Sequence, residues 1–300
     1  MNRHVFEEMK SHINNYLNNS AMKSIVFEFV NYKHKTEGFM FYELVIFHYK
    51  YFGGKRIDIY SVAAAIELLV LVADIYDDLE DRDNHQATWM QYPSSIVLNI
   101  TSGLLVLIKN ILDDVFEDRS LSEMNQLFYS TVQKIIVGQH RDLTNDIQNE
   151  TDYYEVIRLK SGSLTQIACS LGTLLALNKI PSEIENYSEK IGMIAQMNND
   201  IKSIYNWNRK SDVARKLKTI PILYMLSVGK DNLLSSYING EITYESLLFQ
   251  QEKVFNEIED LGAIHYTNMI IQMLKNEVLE ELQLLKMSSN YIDQFTKIAF

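Results

Sequence analysis

The stretch Asp74-Ile75-Tyr76-Asp77-Asp78-Leu79-Glu80-Asp81-Arg82-Asp83 holds six carboxylates in ten residues. It closes an apolar run, Ser61 to Ala73, in which Val62, Ile66, Leu69, Val70 and Ala73 recur at steps of three and four. That spacing predicts a helix. The same stripe, continued, reaches Asp77 and then Asp81, so one core-facing surface turns from hydrocarbon to carboxylate partway along. Burying several anions together is very unfavourable without compensating cations. A metal site is expected here, with Asp77 and Asp81 on one face and Asp78 and Asp74 flanking it. Oxygen donors at one-turn spacing suit Mg²⁺, which keeps waters and commonly bridges to substrate phosphates. The plainer alternative is a solvated acidic helix end, which the buried run leading into it disfavours.

Outward from this stretch the chain reads as helical throughout. Three prolines and eleven glycines in 300 residues favour long helices, and no segment alternates with period two. We expect an all-α fold. No linker or composition shift is visible, so residues 1–300 read as a single domain. Two helices are expected within 1–36, one over 39–52, and the central helix over about 57–83. The next covers about 95–117. Ser120 and Glu123 have capping-box spacing ahead of a helix to about 147, as do Ser182 and Glu185 ahead of one to about Trp207. Between them a helix from about Asp152 to Leu177 carries Lys160. A basic polar loop, 208–218, precedes four or five further helices.

The net charge of −11 argues against a nucleic-acid partner and requires local cations for any anionic substrate. The single cysteine, Cys169, fits a reducing cytoplasm. Residues 2–8 show no secretory signal. The run through Ser61–Tyr76 is broken by Glu67, and Ser163–Leu177 is short of the roughly 20 residues a bilayer requires, so both read as core helices. The expected location is cytoplasmic, with peripheral membrane association left open. His48, His85 and His140 have no zinc-ligand spacing, and no Gly-rich phosphate loop, GxSxG or HExxH occurs.

A second polar patch is expected near Asp200. Ile191 and Ala195 lead by steps of four to Asn199 and Ser203, with Gln196 four residues before Asp200. Asn199, Asp200 and Ser203 form a second, weaker set of oxygen donors. Lys55 and Arg56, beside Gly53-Gly54, and Lys160 are the candidate cations for a diphosphate. Gln139 and Asp142 lie three apart on one helix.

Gly53-Gly54-Lys55-Arg56, Glu67, Asp77-Asp78-x-x-Asp81, Gly138-Gln139, Asp142, Lys160-Ser161, Gly192…Gln196…Asn199-Asp200 and Asp212…Thr219-x-Pro221 together resemble the trans-isoprenyl diphosphate synthase family. Order and spacing agree over roughly residues 40–290. Three departures stand out. Asp83-Asn84-His85-Gln86 occupy the region where the family carries Arg-Arg-Gly. Ser203 closes the second motif, and Leu217 replaces a lysine. The Asp74–His85 segment with Trp89-Met90, Gly138-Gln139-His140 and Val156–Leu164 is similar to one branch, the ComQ-type isoprenyltransferases. These modify a tryptophan of a competence-pheromone precursor peptide.

The resemblance implies an isoprenoid synthase fold, a helical bundle around a central cavity, and a homodimer. It implies Mg²⁺-dependent ionisation of geranyl or farnesyl diphosphate and transfer of the prenyl group to a tryptophan indole. Asp77, Asp78, Asp81 and Lys160 are then catalytic. Lys55, Arg56, Lys160, Gln139 and Gln196 hold the diphosphate. Asp77, Asp78, Asp81, Asp200, Asn199 and Ser203 hold metal, and Leu69, Val72 and Ala73 line the prenyl pocket. The alternative is a short-chain polyprenyl diphosphate synthase that elongates with isopentenyl diphosphate.

Overall fold

The computed structural model describes residues 2–36, 38–82, 84–116, 120–207, 212–228 and 232–300, and among these no strand occurs. The N-terminal helices are α1 (Asn2–Tyr16), α2 (Ser20–Thr36) and α3 (Phe41–Tyr51). They are followed by α4 (Ile59–Asp81), α5 (Ser94–Val115) and α6 (Leu121–Leu143). Helix α7 (Glu150–Ile157) continues through a π-turn, Arg158–Gly162, into α8 (Ser163–Leu177), and α9 is Ser182–Ser203. The C-terminal part comprises α10 (Asp212–Arg215), α11 (Ile220–Val228), α12 (Leu233–Ile238), α13 (Tyr244–Phe249), α14 (Gln251–Asp260), α15 (Ala263–Leu284) and α16 (Ser289–Ala299).

Helix α4 is the axis of the molecule. Every residue from Val62 to Val72 is buried, so the helix is enclosed on all sides rather than along one stripe. It packs against α1, α3, α5 and α8, and the run Ala63-Ala64-Ala65 leaves room for those neighbours. The unbroken burial ends at Ala73, beyond which Ile75 is still fully buried but Asp77 and Asp81 reach the cleft. Two charged groups on this axis are internal. Glu67 is 1% exposed, and its Oε1 accepts from the Tyr42 N–H (2.7 Å) at the start of α3. Burial pushes its carboxyl up to about 8, against the lowering influence of that bond and of Lys33. Lys33 in turn pairs with Asp74, so Asp74 supports the helix rather than facing the cleft. Asp83 lies outside the described residues.

Three apolar clusters follow the chain. The largest joins α1–α6, α8 and the first half of α9. A second, around Tyr153, Ile157, Met197, Ile220 and Ile271, lies beyond the cleft. A third joins Ile204 and Val213 to α11–α14. The cleft opens where the carboxylate end of α4 meets the second cluster. By length and composition both α4 and α5 are apolar enough to cross a membrane. Of these, α4 is enclosed by protein, whereas α5 exposes Ile96, Leu98 and Val106.

Several local expectations are corrected. Neither capping box forms: the Ser120 hydroxyl donates to Asn178 Oδ1 (3.2 Å), and Ser182 already lies within α9, where its hydroxyl meets Glu183. The helix expected as continuous through Lys160 is widened there by the π-turn. The 208–218 segment is not all loop, since α10 occupies 212–215 and residues 208–211 fall outside the described set. Beyond Thr219 the described helices number six, α11 to α16, rather than four or five.

Candidate active site

Asp77 and Asp81 stand one turn apart at the end of α4 and line a cavity of about 240 Å³. Lys160 reaches them from the π-turn. Its Nζ donates to Asp77 Oδ1 (2.7 Å) and to Asp142 Oδ2 (2.9 Å) on α6. Burial alone would lower this lysine's pKa, but Asp77 and Asp142 outweigh it and hold the group above its ordinary value. The π-turn is wedged between two glycines. A Cβ on Gly138 would stand 2.8 Å from the Lys160 backbone N, and one on Gly192 only 2.1 Å from the Ser161 carbonyl oxygen. Larger residues would push α6 or α9 away and withdraw Lys160 from the acids. π-turns of this kind frequently mark functional sites.

The opposite wall comes from α9 and α10. Asp200 is 3% exposed. Its oxygens accept from the Tyr153 hydroxyl and from Gln196 Nε2 (2.9 Å). Burial raises its carboxyl to about 7, although both hydrogen bonds act in the other direction. Asp212 also lines the cavity and is raised by burial, while accepting from the Ser203 hydroxyl. Arg215, at the end of α10, makes a two-pronged ion pair with Asp81: Nη1 to Oδ2 and Nη2 to Oδ1, each 2.6 Å.

The structure thus gathers most of the residues singled out in the sequence. Asp77, Asp81, Lys160, Gln196, Asn199 and Asp200 line one cavity. Gln139 donates to Asp77 Oδ1 (3.0 Å) and orients that carboxylate. Ser161 donates to Gln196 Oε1 (3.0 Å), tying the π-turn to α9.

Three expectations change, and a fourth group of residues lies apart from this cavity. Lys55 and Arg56 precede α4 and so lie at its far end; the eighteen residue steps of helix from Ile59 to Asp77 put about 27 Å between the two. Arg56 pairs there with Asp58 and donates to the Val115 carbonyl (3.0 Å). Neither contributes to the cavity lining. Asp78 is turned away from it too, because its Oδ2 accepts from the Trp89 indole (2.7 Å) and Asn84 Nδ2 (2.8 Å). It anchors the chain after α4. Ser203 presents its hydroxyl to Asp212 rather than to the cavity. Leu69 and Val72 are buried in the main core, and Ala73 is half-buried one turn before Asp77; none lines this cavity.

Asp212 and Arg215 were missed as site residues. The signal was the Asp212…Thr219-x-Pro221 pattern, which placed this segment in the resemblance without giving its side chains a role.

The donor set suits a hard divalent cation. Five carboxylates, Asp77, Asp81, Asp142, Asp200 and Asp212, line the cavity against three cationic side chains, Lys160, Arg215 and Lys218. Among the described residues, no three acids or histidines already converge as a closed metal cage. That pattern fits an ion held by one or two carboxylates on each wall and completed by phosphate oxygens. Asp200 itself accepts from two neutral groups, the Tyr153 hydroxyl and Gln196.

Residues 25–247 match the polyprenyl synthetase family. The tryptophan prenyltransferase ComQ of Bacillus subtilis strain 168 is 31% identical over 93% of this chain and 92% of its own length. Its counterpart in Bacillus subtilis subsp. natto is 32% identical over 94% and 87%. The chain belongs to the polyprenyl synthetase family, in its ComQ-type branch. Its fold is the all-α isoprenoid synthase fold. Geranylgeranyl pyrophosphate synthase from Corynebacterium glutamicum, solved with isoprenyl diphosphate and magnesium, superposes with a TM-score of 0.81 over 99% of this chain and 96% of that one, at 14% identity. Members of the polyprenyl synthetase family use divalent metal ions, and their substrates are prenyl diphosphates.

Proposed function

We propose that this protein transfers a geranyl or farnesyl group from its diphosphate to the indole of a tryptophan in a small precursor peptide. One observation carries the reading: two carboxylate walls, Asp77 with Asp81 and Asp200 with Asp212, face one cavity into which Lys160 projects. Asp77, Asp81, Asp200 and Asp212, with Asn199, would hold Mg²⁺. When bound, Mg²⁺ neutralises the negative charge that develops on a departing diphosphate. Lys160 places a fixed positive charge beside the same oxygens. Gln139 and Gln196 orient the acids on either wall.

Ionisation of the C–O bond leaves an allylic cation on the apolar side of these groups. The side chains of Leu69, Val72 and Ala73, below Asp77, are the proposed wall for the prenyl tail. Indole C3 then attacks the cation, leaving a cationic C2=N bond, and a backbone nitrogen closes a ring on C2 as its N–H proton is lost to the released diphosphate or to water.

The acceptor assignment is supported by the ComQ relatives and by the segment after α4. Asn84 is held by Asp78, and the His85 carbonyl accepts from Gln91 (2.7 Å). Residues 84–86 bring no guanidinium to the cleft, so a second diphosphate, that of isopentenyl diphosphate, lacks its cations there. Residues 1–300 form one domain in this reading. The exposed apolar groups on α5 (Ile96, Val106) and α6 (Tyr129, Ile136) are its proposed homodimer face.

A competition assay tests the acceptor. The protein is given Mg²⁺, farnesyl or geranyl diphosphate, a tryptophan-containing precursor peptide and isopentenyl diphosphate. The expected result is a prenyl mass increment on the tryptophan. Efficient formation of a longer prenyl diphosphate with the peptide unmodified would favour the chain-elongating synthase instead.

A further inference from the structure

Arg215 occupies an unusual position. Both of its terminal nitrogens are committed to both oxygens of Asp81, 2.6 Å each, at the cavity wall. The Asp81 side chain is 9% exposed and that of Arg215 24%. A metal ion that takes the Asp81 oxygens from the cavity side competes with this pair. The guanidinium would then be left beside whatever the metal brings with it.

We propose that Arg215 is a diphosphate-binding residue, held on Asp81 in the metal-free protein and handed to the substrate's diphosphate when a divalent cation takes that carboxylate. This rests on the prenyl-transfer reading of the cavity and names a further residue within it.

Three features support the exchange. First, the backbone that carries Arg215 is fixed while its side chain is long. Val213 is fully buried, the Ala214 carbonyl accepts from the Tyr237 hydroxyl (2.9 Å), and the Lys216 carbonyl accepts from Asn145 (3.3 Å). Rotation of the side chain can therefore re-aim the guanidinium with no movement of α10. Second, a guanidinium offers a planar fork that matches paired phosphate oxygens as well as it matches a carboxylate. Third, residues 84–86 hold no arginine and position 217 is a leucine, so Arg215 is one of three cationic side chains in the lining, with Lys160 and Lys218, and the one that carries a guanidinium. Arg215 lies two residues before that leucine, and both line the cavity.

Calorimetry with Mg²⁺ alone and with inorganic pyrophosphate at saturating Mg²⁺ tests the exchange, on wild type, Arg215→Gln and Arg215→Lys. Loss of Arg215 frees Asp81, so Arg215→Gln should bind Mg²⁺ alone more tightly. The same variant should bind Mg²⁺–pyrophosphate about ten- to a hundredfold more weakly, the effect of one charged hydrogen-bonding group. Arg215→Lys, which keeps charge but not the fork, should fall between. A merely structural Arg215 predicts that both affinities rise together, and that result overturns the proposal. If wild type itself fails to bind pyrophosphate with Mg²⁺, the diphosphate reading of the whole cavity falls and the proposal with it. Circular dichroism and thermal melting confirm that each variant is folded.

Discussion

The two acidic walls of the cleft are built differently. On α4, each acid is matched by a protein cation: Asp77 by Lys160, Asp81 by Arg215. On α9, Asp200 is buried among neutral partners, Tyr153 and Gln196, with its carboxyl raised to about 7. The first wall is charged and compensated in the absence of ligand. On the second, burial holds the carboxyls of Asp200 and Asp212 above their ordinary values. A diphosphate arriving with divalent ions would replace the borrowed cations on one wall and supply the missing one on the other. Asp77 is half-exposed and Asp200 is buried, whereas Asp81 is nearly as enclosed as Asp200 and differs from it in having Arg215 as partner.

The comparison can be broken most directly on the first wall. Replacing Asp81 or Asp77 with Asn should lower prenyl transfer by about a hundredfold or more in turnover assays, a loss typical of removing a group that stabilises developing charge. Asp78→Asn is the contrast within the same motif. It should leave metal–diphosphate binding nearly intact and lower the melting temperature, because the Trp89 indole loses its charged acceptor.

Lys160→Met should follow in size, with turnover down about tenfold to a hundredfold and pyrophosphate binding weakened, because Asp77 and Asp142 then repel the incoming phosphate oxygens. On the second wall, Asp200→Asn should weaken Mg²⁺–pyrophosphate binding while leaving thermal stability unchanged or raised above pH 7, since it removes a carboxylate that burial disfavours.

The smallest effect expected on the site comes from Glu67→Gln. Glu67 is buried like Asp200 but lies nearly three turns before Asp77 along α4, away from the cavity. Its folded pKa, about 8, stands above the ordinary 4.5. Between these two values the unfolded chain has lost the proton and the folded one retains it, so rising pH favours unfolding. Wild type should therefore lose stability relative to Glu67→Gln from about pH 4.5 to about pH 8, with the difference constant beyond. Melting curves across that range measure it, and pyrophosphate affinity should not change.

Much of this architecture was readable from residue spacing. The helical run into Asp77 and Asp81 located the cleft, and Lys160, Gln196 and Asp200 joined it from separate helices. What could not be read was direction. Asp78 and Asp81 are both acids on one short helix end, and only three-dimensional packing turns one onto Trp89 and the other into the cavity. Lys55 and Arg56 looked like phosphate ligands because they precede the acidic helix in sequence. A helix of 23 residues carries its two ends far apart, so nearness along the chain meant distance in space. Arg215 was missed for the converse reason. Its partner lies 134 positions earlier, and long-range ion pairs leave no periodic trace.

The central claim is that both walls bind metal together, bridged by one diphosphate. Electron paramagnetic resonance of Mn²⁺, titrated into the protein with and without a non-hydrolysable farnesyl diphosphate analogue, tests it most directly. The account predicts weak Mn²⁺ binding by the protein alone and tight binding once the analogue is present, lost in Asp81→Asn and weakened in Asp200→Asn. Tight binding that needs no analogue, or that is indifferent to Asp200→Asn, would contradict it.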